Sequence, residues 1–337
     1  MTKKIWILAF LLTVSFGLLN ISNSLYTKKA TFTIDPTIVI GYSNWAGWWP
    51  WAIAQQEELF AKHGLNVELR WYDDYSQSLA DLAAGYIDGN CQTLNDTITN
   101  MTQAVKGEVA VLITDSSTGN DKIVAETGID TVKDLEGKTV AVERGDDFLL
   151  ALSLNEAGLP RKNLNILAAE TGAGVEAFIA GQSNAVRAFP PYWYSALKRQ
   201  GAHEIVSSSR FSELMLNLFV VTQDLVQQHP DKVQALTDTW FDVSNFMLAN
   251  LDRSNEILAQ RAEVEVQTMN LFKSGTKIYR LEDNVDAFFE GENVANFDST
   301  AYAVASFLQR NLSSIEQQPD MSSLRNPQFI KAYQEHS

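Results

Sequence analysis

The sequence predicts an α/β protein of two similar lobes with a ligand between them. Strand and helix patterns alternate from Thr37 onward, the same order of elements returns from Thr139, and turn-rich segments fall where the chain would cross from one lobe to the other.

The first repeat opens with Thr37 to Tyr42, a short apolar run suited to a buried strand. Pro50 suits the first turn of a helix that runs through Leu59 and stops near Gly64, and Leu65 to Leu69 is a second strand. Ser76 or Ser78 caps the next helix, which Gly85 ends before Tyr86-Ile87-Asp88-Gly89 leads onward. The second repeat has a strand at Thr139 to Val142, a helix from Phe148 to Glu156 closed by Gly158, and a strand at Leu164 to Leu167. A helix from Val175 to Ala180 closed by Gly181 and a strand at Ala185 to Phe189 complete it. Ala84-Gly85-Tyr86-Ile87-Asp88 parallels Ala180-Gly181-Gln182-Ser183-Asn184, the internal echo expected of two related lobes.

Asp115 to Asp121 is polar and turn-rich and reads as one crossing; the segment between Val206 and Phe219 reads as the other. Leu216 to Val221 is a further strand. Helices then dominate, at Asp231 to Leu251, near Ile257 to Gln267, and at Thr300 to Gln309. The expected division is residues 1-30 as a signal or anchor, 37-115 with 216-330 as the first lobe and its C-terminal helices, and 121-206 as the second lobe. The helical third packs on the first lobe and supplies few ligand contacts.

Composition narrows the function. The 337 residues are 45% hydrophobic and 20% charged, an ordinary globular balance, and the net charge of −15 argues against nucleic acid or an anionic membrane surface as partner. Lys3-Lys4 followed by the apolar run Ile5 to Leu19 has the form of a secretory signal, and the run is short for a permanent span. The expected location is the periplasm, with a retained inner-membrane anchor as the alternative. Cys91 is the single cysteine, so neither an internal disulfide nor a cysteine-based zinc site is available. His63, His203, His229 and His336 show no metal spacing, and His63 falls at a helix end, a structural position. No nucleophile or phosphate-loop signature is present, so neither catalysis nor a cofactor is expected.

Several spaced motifs carry a resemblance. They are Ile40-Gly41-Tyr42-Ser43 with Pro50, Gly64-Leu65-Asn66-Val67-Glu68, Leu79-Ala80-Asp81-Leu82-Ala83-Ala84-Gly85 with Asp88, Asp134 to Glu143, and Ala177-Phe178-Ile179-Ala180-Gly181-Gln182. From roughly Thr37 to Leu308 the chain resembles the solute-binding proteins of bacterial importers for nitrate, sulfonates, taurine and related molecules, a superfamily with a thiamine-precursor branch. The resemblance implies a bilobal periplasmic-binding-protein-like fold of type II. It also implies a monomer that closes on a small solute and delivers it to an ABC permease with its ATPase. The solute implied is a sulfonate, a taurine-like molecule or a related nitrogen-containing compound. Pyrimidine binding or synthesis as in the thiamine-precursor branch, and a membrane-anchored sensor, are the alternatives; the branch's cysteine-rich catalytic motif is absent. Where relatives often carry an aromatic, Glu, Pro and a second aromatic, this chain has Phe189, Pro190, Pro191 and Tyr192, so that pocket carboxylate is missing.

The candidate ligand-binding residues follow from their places in the repeats. Ser43, Asn44, Trp45, Trp48 and Trp49 lie on the loop after the first strand, and Trp45, Trp48, Trp49 and Trp51 are four of the chain's 8 tryptophans. Phe189, Tyr192 and Trp193 follow the matching strand of the second repeat, so closure brings aromatics together around a planar or cationic body. Some of these indoles serve equally well as packing, Trp51 above all, since it lies inside the helix. Asn95 and Asp96 end a first-lobe strand and Asp121 enters the second lobe; both acids can hold an amine, or serve as a helix cap and a hinge turn. Arg144 and Asp146 stand at the start of a second-lobe helix. Arg144 can clamp an anion, whereas Asp146 or Asp147 as an N-cap would fill the position an anion would take. Arg187 is open to either reading.

Overall fold

The structure is a computed structural model that describes residues 37–143, 147–289, 296–312, 315 and 319–336. The segment read as a signal, with Arg144 and Asp146, lies outside the described residues.

Strand β1 (Ile38–Ser43) is followed by α1 (Trp51–Gln56) and α2 (Leu59–Lys62). One helix was expected here. Glu58 adopts a left-handed conformation (φ 54°) and breaks it, so that Phe60 folds back and stacks on Trp51 with ring centroids 5.8 Å apart. Trp51 also meets Phe219 and Trp240 and is fully buried, a core residue. At the end of α2, His63 Nε2 lies 2.9 Å from Asp242 Oδ2, a structural contact.

β2 (Val67–Tyr72) begins two residues later than the apolar pattern suggested. Helix α3 (Tyr75–Ala83) is capped by Asp74, whose side chain accepts from the Ser76 amide, and not by a serine. β3 (Gly89–Thr93), α4 (Leu94–Asn100) and β4 (Glu108–Ser117) complete this half. Every residue of β4 is buried, the polar Glu108, Thr114, Asp115, Ser116 and Ser117 as well as the apolar stretch 109–113.

The second half holds β5 (Lys122–Ala125), β6 (Thr139–Val142), α5 (Phe148–Ala157), β7 (Asn165–Ala168), α6 (Thr171–Ile179), β8 (Ala185–Ala188), α7 (Tyr192–Ala196) and β9 (His203–Ser207). The chain returns through β10 (Leu216–Thr222) and continues with α8 (Gln223–Gln228), α9 (Pro230–Ala249), α10 (Leu251–Ala262), α11 (Met269–Lys273) and β11 (Thr276–Ile278). Helices α12 (Leu281–Phe289), α13 (Phe297–Phe307) and α14 (Gln328–His336) follow. The long helix expected at Asp231 to Leu251 ends at Ala249 with Asn250 as its cap, and the next is finished by the left-handed Glu263.

Two sheets organise these elements. One is six-stranded with order β11-β4-β10-β3-β1-β2; the other is five-stranded with order β7-β6-β8-β5-β9. In each, a central strand pairs in parallel with its two successors, β1 with β2 and β3, β6 with β7 and β8. In each, the strand beside that set is antiparallel and arrives from across the molecule: β10 against β3, and β5 against β8. The fold is bilobal α/β. Gly85 and Gly181, at equivalent helix ends, both take positive φ (74° and 76°), a backbone that glycine adopts without steric cost. The carboxyl ends of β1, β3, β6 and β8 open toward the space between the sheets, the usual ligand position in open α/β sheets.

Candidate functional site

The cleft forms where these strand ends meet. Two adjoining cavities, of about 490 and 990 Å³ counted to their open mouths, share Tyr75, Thr93, Asn95, Glu143 and Arg187 and so make one continuous cleft. Its first-lobe wall is aromatic. Trp45 and Trp48 sit edge to face at 6.5 Å, Trp48 tilts against Tyr75 at 5.3 Å, and Phe189 of the other lobe meets Trp45 at 6.0 Å.

The wall is held in place from behind. Trp45 Nε1 donates to Asp115 Oδ1 at 2.8 Å, and Asn217 Nδ2 and Thr114 Oγ1 donate to the same carboxylate. Asp115 is fully buried, and burial pushes its carboxyl up to about 7 against the pull of those three donors. Gly47 lies directly against this carboxylate; a Cβ there would collide with all three atoms of the group. The Gly-Trp-Trp-Pro sequence thus lets the loop turn tightly over Asp115. Across the cleft, Asn44 Nδ2 donates to the Tyr192 hydroxyl at 3.0 Å, tying the two lobes. Asn44 Oδ1 and Trp48 Nε1 are buried and find no hydrogen-bond partner in the protein.

The second-lobe floor is built around Arg187 on β8. Its Nη2 donates to Asp121 Oδ1 at 2.6 Å, its Nε lies 3.0 Å from Asp147 Oδ2, and its Nη1 lies 3.7 Å from Glu143 Oε2. Burial works against the guanidinium charge, and the Asp147, Asp121 and Glu143 carboxylates outweigh it, holding the group above its ordinary value. Burial raises Asp121 as well, with Arg187 opposing, and lifts Glu143 to about 7. Asp147 caps α5 by accepting from the Leu150 amide. On the facing lobe, Asp96 accepts from Tyr75, Thr93 and Asn95, and burial raises its carboxyl too.

The structure therefore places Ser43, Asn44, Trp45, Trp48, Asn95, Asp121 and Phe189 on the lining, with Asp96 in the wider cavity. Three expected residues stand off the lining. Trp49 is fully buried and packs on Phe272 at 6.1 Å, and Trp193 packs on the same ring at 5.8 Å. Phe272 comes from α11, so the helical third covers both indoles and removes them from the cleft. Tyr192 acts as the cross-cleft tie instead of as lining. Sequence reading had left Tyr75, Thr93, Ser117 and Glu143 outside the candidate site; their approach to the cleft depends on lobe packing, which no local pattern reports.

Among the described residues no cluster of His, Cys, Asp and Glu has the geometry for a metal ion, and no helix is long and apolar enough to cross a membrane.

Residues 34–262 match the model of the NMT1-like family, more than half of the chain. The chain belongs to that family. A binding protein of Brucella abortus (strain 2308) is 24% identical over 223 residues, covering 64% of this chain and 67% of the relative. The taurine-binding periplasmic protein of Escherichia coli (strain K12) is also 24% identical, over 60% of this chain and 64% of the relative. Among solved structures, the periplasmic aliphatic sulphonate binding protein SsuA of E. coli superposes with a TM-score of 0.70 at 17% identity, covering 87% of this chain and 93% of that one. This NMT1-like chain thus shares the fold of nitrate-, sulfonate- and taurine-type periplasmic binding proteins.

The buried carboxyls make stability depend on pH. Asp115, Glu143 and Glu108 are each pushed to about 7 in the fold, against roughly 4 unfolded, so the native state holds more protons than the unfolded chain between those values. Their contribution is fully present below the unfolded value and is lost as pH rises through about 7. The slope is up to about 1.4 kcal/mol per pH unit for each group. A thermal melt of the unliganded protein should show Tm falling from pH 5 to pH 7.5; a rise over that interval would contradict these assignments.

Proposed function

We infer that the protein is the solute-binding receptor of an ABC-type importer, exported to the periplasm by its N-terminal segment. It captures a small organic solute between its lobes and delivers it to a membrane permease with its ATPase. The kinds of solute named by the sequence resemblance are a sulfonate, a taurine-like molecule or a related nitrogen-containing compound. The observation that carries this reading is the aromatic-walled cleft at the carboxyl ends of the strands of both sheets, with orphaned polar atoms in its wall and the Asn44–Tyr192 tie across it. Residues 37–115 with 216–330 form one lobe of this clamp and 121–206 the other, so the two crossings act as a hinge. Binding explains the site without chemistry: its acids either pair with Arg187, cap helices or lock the wall.

A thermal-shift screen against sulfonates, taurine, nitrate, amino acids, polyamines and aminopyrimidines tests this. A solute at about 100 times its Kd adds ~2.7 kcal/mol of stability, a visible displacement of the melt. Stabilisation by one class is expected. A protein that no solute shifts, and from which none is extracted after denaturation, would remove the receptor reading.

A further inference from the structure

We propose that the cargo is a small organic cation bearing N–H donors, seated with its body against Trp45, Trp48 and Phe189 and its charged end toward Glu143, Asp121 and Asp96. This rests on the receptor reading and narrows its cargo.

Charge in the cleft points this way. Arg187 is the one cationic side chain among the described lining residues, and three carboxylates already surround it. Arg187 Nη2 is taken by Asp121 and its Nε lies against Asp147, whose side chains are only 5% and 2% exposed, so an anionic solute would find only Nη1, and there it would face the Glu143 carboxylate 3.7 Å away. Two helix starts beside the cleft already carry acids. Asp147 occupies the start of α5, and Asp96 lies in the first turn of α4. With Arg187 neutralising one carboxylate, Asp121, Asp147, Glu143 and Asp96 leave the cleft acidic.

Geometry points the same way. On the lining Asn44 Oδ1 is a buried acceptor awaiting a donor and Trp48 Nε1 a buried donor awaiting an acceptor, so the cargo carries N–H donors and an acceptor atom besides. The Trp45 ring is fixed by its bond to Asp115, so it presents a preset π-surface, and aromatic faces attract cations. Glu143, about a fifth exposed, is more open to a ligand than Asp121 or Asp147. Around it stand Arg187 on β8, Asp147 at the start of α5, Glu170 before α6 and Asp96 on α4. A cation beside Glu143 favours its ionised form, so binding below neutral pH releases a proton. Affinity should rise from pH 5.5 to 7.5, by at most about tenfold per unit.

The test is equilibrium dialysis of the protein, stripped of bound solute by unfolding and refolding, against an equimolar mixture. Agmatine, putrescine, tyramine and 4-aminopyrimidine-5-methanamine are the cations, taurine and glycine betaine the zwitterions, and ethanesulfonate and nitrate the anions. Selective retention of a cation is expected, with affinity rising with pH and falling at least tenfold in Glu143→Gln and in Asp96→Asn, whose melts report that each still folds. Retention of sulfonate, nitrate or taurine would overturn the cation assignment while keeping the receptor. Retention of nothing by a refolded protein with a native melt would overturn both.

Discussion

Replacing Arg187 with alanine should destabilise the protein by about 3–5 kcal/mol, the usual cost of removing one partner from a buried ion cluster. Asp121, Asp147 and Glu143 would then share the cleft floor with no cation among them, and Asp121 and Asp147 are too buried for water to replace it. The deficit has a direction in pH. Without Arg187 the Asp121 and Glu143 carboxyls rise further above their unfolded values, so the variant's native state holds more protons and its stability falls as pH rises. The loss should be largest near pH 8 and shrink toward pH 5 as the carboxyls become neutral. Denaturant unfolding at the two pH values measures it; a loss below about 1 kcal/mol at pH 8 would mean that the cluster is not coupled as the distances imply. Arg187→Lys should fall between, because an ammonium keeps the charge and gives up the planar fork.

The second large effect belongs to a residue with no side chain. Gly47→Ala should cost about 1–3 kcal/mol of stability, the range for overpacking a filled interior, because the new methyl meets the Asp115 carboxylate. Asp115 cannot yield without releasing Trp45, Asn217 and Thr114 together. Solute affinity should fall at least tenfold along with stability, since Trp45 loses the bond that sets its ring. Asp115→Ala should reproduce the binding loss by freeing the same ring. A Gly47→Ala protein with native affinity would separate the loop from the cleft wall.

How far the sequence reaches is visible in particular residues. The repeated strand–helix order is legible because buried strands and glycine-closed helices leave short-range signals, and the second repeat's Thr139–Val142 strand matches its expected bounds. The aromatic wall is legible because Gly47 and Pro50 break periodicity around Trp45 and Trp48, which argues against a simple core stripe. Which face each indole takes is not local information. Trp49 and Trp193 are covered by Phe272, a residue more than seventy positions beyond either. Glu143 and Arg187 are likewise ordinary polar residues until the strands of the second sheet place them beside Asp121 and Asp147. Glu58 shows the same limit at the scale of one turn: its left-handed backbone serves the Trp51–Phe60 stack, a tertiary demand that helix propensity does not carry.

The central claim is that a solute binds between the lobes against the tryptophan wall. Calorimetric titration of the solute that stabilises the protein, into the wild type and into Trp48→Ala, addresses it most directly. The expected result is one site per chain in the wild type and an affinity at least tenfold weaker in the variant, with both proteins folded. Equal affinity in the two would place the solute elsewhere and contradict the cleft as the binding site.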